Sequence, residues 1–436
     1  MAGKLESMRF FAGCQYGDGR AANGNQGRDE MITRVKILGY KSFRDAEIRL
    51  KPPTVIIGPN GAGKSNLFDA LGLLSRMVTR SSLQEAFEGH RGIPLEAFHW
   101  GDGGMRTLLS RPTAEFTIEV DVQLSPSVVE TVEHRIQEMR GDLSGEKAKP
   151  RKRWVTESYL RYTLTVQIHT DSGSLGVMQE RLVALNQDGS EKESRKPFVW
   201  SEGERLRMRL EGQPLYTDYE IGLHHTLVSM PLYPPYHPHV TAFREELARW
   251  QFYYFNPEVM RATAPVKEVR SIGDFGADMV AFYNTLKHHA PRQFEAFSDA
   301  LRSLLPQADW LEITRTPEGG LHLGIGENGT VFPARVISEG TIRVLGLMAA
   351  VHPFAPTTVV GCEEPENGIH PQRLPALAEF LLGAVKGGKQ IIVNTHSPAL
   401  PAYFAPELLV VCRKEEGATL FYPIENRNCS NPHAGG

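Results

Sequence analysis

The chain has 436 residues, of which 41% are hydrophobic and 23% charged, with a formal net charge of −3. It is long enough to bury a large core, and its charge gives no global attraction to nucleic acid or anionic lipid, so such a contact must come from a local patch. Four cysteines, Cys14, Cys362, Cys412 and Cys429, include no C-x-x-C pair. That spacing argues for a reducing compartment and against a structural zinc site. There is no apolar run of about 18 residues and no signal-peptide core, so the expectation is a cytoplasmic protein that is neither exported nor membrane-spanning.

Residues 1–30 are rich in Gly, Asn, Gln and Arg and have little apolar periodicity beyond Phe11. They are expected to be a disordered leader, or an artefact of start-site choice, because such a segment cannot offset its ordering entropy by burial. Strands are expected at 31–38 and 46–50, joined by a turn. Next comes VIIGPNGAGKSNLFDAL, residues 55–71. Its apolar start reads as a short buried strand at 54–57, and Leu67, Ala70, Leu71, Leu74 and Met77 follow helical spacing. Between them, Gly58, Gly61 and Gly63 let successive N–H groups turn inward, and the helix beginning near Lys64 adds its positive dipole end. This is a phosphate cradle made by Asn60, Gly61, Ala62, Gly63, Lys64, Ser65 and Asn66. Lys64 would reach the β- and γ-phosphates of ATP, and the Ser65 hydroxyl would ligate Mg²⁺.

Residues 113–124 and 159–169 alternate as half-buried antiparallel strands do. The charged stretch between them, with Lys147, Lys149, Arg151, Lys152 and Arg153, reads as a solvated loop, a nucleic-acid or partner contact being the alternative. A second polar stretch, 186–196, reads as a hairpin loop. Aromatics concentrate at Trp250, Phe252, Tyr253, Tyr254 and Phe255 without interleaved basic residues, which favours a buried lobe interface over a base-stacking platform. Helices are expected at 277–287 and 293–305. His224, His225, His237 and His239 lack a carboxylate or cysteine at ligand spacing, which weighs against a metal site.

A phosphate cradle says only that a nucleotide binds. TTVVGCEEPENGIHP supplies candidate chemistry: a buried strand at 357–361 runs into Glu363 and Glu364, with Pro365 just beyond. Alternation along a strand would point the two carboxylates to opposite faces, one holding Mg²⁺ through water and the other orienting the attacking water. Upstream, Ser338 is a natural N-cap for a helix that buries Ile342, Leu345 and Met348, so that this helix start is a second anion site, with Gly340 allowing close approach. A third buried strand, 391–393, leads to Thr395 and His396, and the histidine is placed to contact a γ-phosphate oxygen.

This order of phosphate loop, S-E-G-T before a helix, E-E-P-E-N-G-I-H-P after a strand and T-H-S-P after another resembles the ABC-type ATPase heads of the RecF and SMC branch. It is most similar to the compact OLD and abortive-infection ATPases of bacterial anti-phage systems. The resemblance implies an α/β ABC-ATPase head with a mixed central sheet around the phosphate loop, an antiparallel β subdomain and an inserted helical lobe. The corresponding expected divisions are a leader (1–30), the first part of the head (31–125), a β-rich insertion (126–225), a helical lobe (226–330), the second part of the head (331–415) and a tail (416–436). It also implies that Ser338 to Thr341 are the signature motif, Glu363 the acid that holds Mg²⁺ with Ser65, and Glu364 the catalytic glutamate. Glu366 to His370 would be the D-loop region, and His396 the switch histidine, acting with Lys64. In such proteins two heads join head-to-tail and the signature Ser338 and Gly340 of one copy would close over ATP held by the other.

The implied protein is an ATP-hydrolysing homo-oligomer controlling a separately encoded nuclease or toxin, or engaging DNA; the alternative is a slow or non-hydrolysing ATP-dependent scaffold. Glu363 stands where aspartate is usual, no L-S-G-G-Q transporter signature is present, and the glutamine of the Q-loop has no clear place, residues 98–103 marking only its region. A P-loop kinase is disfavoured because it has no need of a second anion-binding helix. About forty residues follow His396, which fits compact members rather than those with a C-terminal nuclease domain.

Overall fold

The computed structural model of the chain describes residues 31–141 and 153–424. The expected leader, most of the tail, and Lys147, Lys149, Arg151 and Lys152 of the charged stretch lie outside the described residues.

Two large sheets organise the molecule. The first has eight strands, all antiparallel, in the order Phe43–Arg49, Ile32–Tyr40, Thr113–Gln123, Tyr159–His169, Leu175–Ala184, Val199–Glu202, Arg205–Arg209, Tyr216–Glu220. Its inner face carries Val35, Ile37, Ile118, Val120, Tyr162 and Leu164, each at most 1% exposed. Its other face carries charged pairs such as Arg34 with Glu119 at 2.7 Å and Arg161 with Asp121 at 2.6 Å, the division that strand periodicity demands.

The second sheet is mixed and runs Trp250–Tyr253, Val359–Glu363, Gln390–Thr395, Thr54–Ile57, Leu409–Glu415, Ala418–Pro423. Its first five strands are parallel and the last pairs antiparallel. Apolar runs such as Ile391–Ile392–Val393 serve both faces. Ile56, Val359 and Ile392 enter the core shared with the antiparallel sheet, while Val55, Val360, Ile391 and Val393 enter a second core with the helices Met279–His289, Glu339–Val351 and Leu374–Lys386. Burial on both faces is why these strands read as continuous apolar runs. The helix Glu339–Val351 is buried nearly all round, as its composition requires.

Some boundaries differ from those read in the sequence. The strand after 357 extends to Glu363, and the one at 390 reaches Thr395, so each ends on a polar residue. The aromatic segment supplies a strand of the central sheet, because Trp250–Tyr253 pairs in parallel with residues 359–362. Residues 226–330 thus carry this strand and three strands of a small sheet, Ala264–Pro265, Trp310–Arg315 and Gly320–Glu327, as well as helices. The helix Pro126–Arg140 had no expectation.

Buried polar groups tie the layers together. The Gln390 amide accepts from Ile32 N and donates to Ile32 O, both at 2.7 Å, fastening the first strand to the central sheet. Glu246 accepts from Ser125 N at 2.8 Å and Thr358 Oγ1 at 2.6 Å. Glu180, fully buried, accepts from Leu227 N at 2.6 Å, Val228 N at 3.1 Å and Tyr162 OH at 2.8 Å. Burial outweighs these donors and pushes its carboxyl up to about 7. A carboxyl raised in the folded state contributes stability that is complete below its unfolded value, near 4.5, and is lost as pH rises through 7. Between pH 5 and 8, denaturant unfolding should therefore shift the balance between wild type and Glu180→Gln toward the variant by up to about 3 kcal/mol. A pH-independent difference would show Glu180 to be ionised throughout.

Candidate nucleotide site

The carboxyl ends of three neighbouring parallel strands build the site. Thr54–Ile57 runs into the glycine loop, Val359–Glu363 into the acids and Gln390–Thr395 into His396, with Glu363 paired to Asn394 and Thr395 to Ile57 in register. Ligands of open α/β sheets lie beyond such strand ends.

The loop needs its glycines in two ways. Gly61 and Gly63 have φ of 76° and 104°, the left-handed region that other residues avoid. A Cβ on Gly63 would also stand 2.2 Å from Thr419 Oγ1. The loop is braced from behind by the C-terminal hairpin, where Thr419 Oγ1 donates to Ala62 O at 2.7 Å, and by the turn between the first two strands, where Ser42 Oγ accepts from Asn66 Nδ2 at 2.8 Å.

A cavity of about 200 Å³ is lined by Asn60, Gly61, Gly63, Lys64, Ser65, Asn66, Glu363, Glu364 and Asn394. The structure thus brings together the phosphate loop and both acids. The expected opposition of the two carboxylates does not hold. Glu364 lies just past the strand end with φ 47°, and this left-handed turn brings both side chains into one cavity. His396 does not line the cavity; its Nδ1 bonds Glu364 Oε1 at 2.6 Å, and Asn367 Nδ2 bonds the other Glu364 oxygen. Thr395 Oγ1 donates to Glu366, whose second oxygen has no partner.

The donor set fits a magnesium nucleotide. The Lys64 ammonium folds back on Gly58 O at 2.6 Å and Pro59 O at 3.0 Å, carbonyls that an anion would replace as its partners. Burial lowers its proton affinity, and the nearby acids raise it. Burial raises the Glu363 carboxyl, and Ser65 pulls it down. One Glu363 oxygen and the Asn394 amide oxygen are buried without partners, an expense of order 1–3 kcal/mol each that a ligand shell can recover. Ser65 and Glu363 are the oxygen donors suited to a small hard cation.

Ser338 and Gly340 do not line this cavity. Ser338 caps its helix, accepting from Thr341 N at 3.2 Å, and is itself exposed. Gly340 packs on Gly368 so closely that an added Cβ would meet Gly368 O at 2.0 Å. Its smallness serves this contact between the start of the helix Glu339–Val351 and the segment that follows the acids. Residues 98–103 contribute nothing to the cavity; His99 bonds Lys41 O at 2.7 Å and Asp102 pairs with Arg44. The histidines scatter: His224 bonds Leu175 O at 2.7 Å, and buried His239 pairs with Glu211.

Two neighbours escaped the sequence reading. Asn394 donates to Lys64 O at 3.1 Å, an acceptor that fixes its amide orientation. Arg91, from the loop after the first helices, lies 3.8 Å from Glu363. The apolar run 391–393 ends just before Asn394 and gave no sign of it as polar lining, and nothing in the spacing of Arg91 announces its return to the site. Replacing Lys64 by Ala should weaken ATP binding by at least about tenfold, the worth of a hydrogen bond to a charged group. Equilibrium titration with labelled ATP checks this, and unchanged affinity would contradict the assignment of the loop.

Four similarities bear on the chain. The DNA double-strand break repair Rad50 ATPase of Methanopyrus kandleri is 36% identical over 83 residues, 19% of this chain and 10% of the relative, so the chain matches only a tenth of that protein's length. An SMC head solved with the C-winged helix domain of ScpA superposes with a TM-score of 0.50 at 14% identity, over 91% of this chain and 98% of that one. The Pyrococcus furiosus Smc head with an extended coiled coil, bound to the C-terminal domain of ScpA, gives 0.49 at 13% identity, over 90% and 96%. The first of these two structures shows the fold to be that of an SMC head. A family model described as "AAA domain, putative AbiEii toxin, Type IV TA system" matches residues 54–141 and 203–401, more than half of the sequence, and the chain belongs to that family.

Proposed function

We propose that the protein binds and hydrolyses ATP with Mg²⁺ between two copies joined head-to-tail, and that this association controls a separate effector, a nuclease or toxin in anti-phage defence. The observation that carries the reading is the separation of the two anion-binding helix starts. Lys64 and Ser65 open one helix inside the cavity, whereas Ser338 caps the other in solvent and lines no part of it. A second copy would bring that exposed cap to the phosphates, so ATP would join the copies and hydrolysis release them.

ATP with Mg²⁺ would supply the reactive phosphoryl group and the charge neutralisation, held by the loop N–H groups, Lys64, Ser65 and Glu363. Glu364 would orient a water and take its proton, with Asn367 and His396 fixing its carboxylate. Family membership in a toxin–antitoxin group supports the effector and defence reading, and DNA is a further partner class. Among the described residues no helix is long and apolar enough to cross a membrane.

One observation favours the second reading, a slow or non-hydrolysing ATP-dependent scaffold: both Glu364 oxygens are already engaged, and Glu363 sits one methylene further out than aspartate would. Phosphate release separates the two. Glu364→Gln should slow it by about 100-fold or more if Glu364 acts as base, while ATP-driven association measured by light scattering persists. Equal rates would leave the scaffold reading. Ser338→Arg should spare ATP binding by the monomer and abolish association; loss of ATP from the monomer would refute the composite site.

A further inference from the structure

A second cavity, of about 160 Å³, runs along the same helix, Lys64–Thr79, and is walled by Arg76, Arg80, Arg91, Trp250, Tyr254 and Asp274 among others. Several of its polar groups lack a protein partner, with Arg80 and Arg91 exposed to solvent and Arg76 half-buried. Arg76 lies between two glycines, so that a Cβ on Gly89 would fall 3.2 Å from its Nε and one on Gly72 3.4 Å from its Nη1. Its Nε donates to Ala86 O at 2.8 Å. Among the described residues, no carboxylate lies within 4 Å of the Arg76 or Arg80 guanidinium, and the terminal nitrogens of both make no hydrogen bond.

Arg91 lies flat on Tyr254, its guanidinium carbon 3.3 Å from the ring centroid. It has only distant anions, Asp69 at 3.7 Å and Glu363 at 3.8 Å, and Asp69 is already held by Lys41 at 2.6 Å. The Trp250 indole N–H and the Tyr254 hydroxyl are buried without partners. Asp274 also lines the cavity; its side chain has no bonded partner among the described residues, and its carboxyl is raised by burial against the pull of Arg76 and Arg91. Balancing Asp69 against Lys41 leaves three guanidinium groups and one carboxylate around the space.

A matching ligand must present several acceptor oxygens to the guanidinium and N–H groups and one O–H to Asp274. A simple carboxylate or sulfate has the acceptors and lacks the hydroxyl, and would place an uncompensated oxygen against the Asp274 carboxylate. Monohydrogen phosphate has both. We propose that this cavity is a binding site for inorganic phosphate, held by Arg76 and Arg91 and discriminated from sulfate by Asp274. Arg91 also touches Glu363, so phosphate here would draw the guanidinium from the acid that lines the nucleotide cavity. Occupancy requires no ATP turnover, although hydrolysis would supply the ligand beside its site.

The test is calorimetric titration of the full chain with inorganic phosphate and with sulfate at pH 7.5, in a Lys64→Ala background that disables the phosphate loop. One phosphate per chain is expected, at least about tenfold tighter than sulfate, since a buried acceptor left facing another acceptor costs a factor of this order. Arg76→Met should abolish binding, and ATP binding by Arg76→Met with Lys64 intact shows that the variant folds. Asp274→Asn should erase the preference and admit sulfate, and decides the matter if Arg76→Met does not fold. No saturable phosphate binding, equal affinity for the two anions, or indifference to both substitutions would overturn the proposal. Such a failure would leave the ATP reading untouched, because Lys64 is absent from the assay.

Discussion

Everything in the nucleotide site depends on three parallel strands ending at one level. Hydrogen bonding in the ladders fixes Glu363 beside Asn394 and Thr395 beside Ile57, so the glycine loop, the acids and the histidine turn emerge together although the chain separates them by about 300 residues. The strands are buried on both faces, so a register slip would move apolar side chains between two cores and is strongly opposed. Placement of the catalytic candidates is thus set by backbone pairing and apolar burial, with polar side chains refining it.

The remaining architecture works as bracing. The C-terminal hairpin supports the phosphate loop through Thr419, and Gly340 packs the Ser338 helix start against the segment that follows the acids, at Gly368. The acids and the exposed Ser338 cap are therefore joined by a short path of contacts, Glu364 to Asn367 and Gly368 to Gly340. Glu364 sits at the start of that path in a left-handed conformation, the type of local strain that persists only where surroundings enforce it.

The phosphate loop was legible because its chemistry is local: a strand, three glycines, Lys64 and Ser65 lie in one short run. The antiparallel strands at 113–123 and 159–169 were legible for the same reason, alternation being a nearest-neighbour signal. Nonlocal features were not. The left-handed Glu364 reverses a face assignment that periodicity makes with confidence in an unbroken strand, and no glycine marked the break. Trp250–Tyr253 looked like interface aromatics because a parallel strand has no partner visible in sequence. Asn394 was masked by the apolar run before it, and Arg91 reaches Glu363 only through a loop whose path depends on Asp69 and Tyr254.

The central claim is that one copy supplies the phosphate loop and another the Ser338 helix start. Mixing Lys64→Ala with Ser338→Arg tests it most directly, since each variant lacks a different half and a mixed pair contains one whole site. Light scattering should then show ATP-dependent association in the mixture and in neither variant alone. Association absent from the mixture while wild type associates, or present in Ser338→Arg alone, would contradict a site shared between copies.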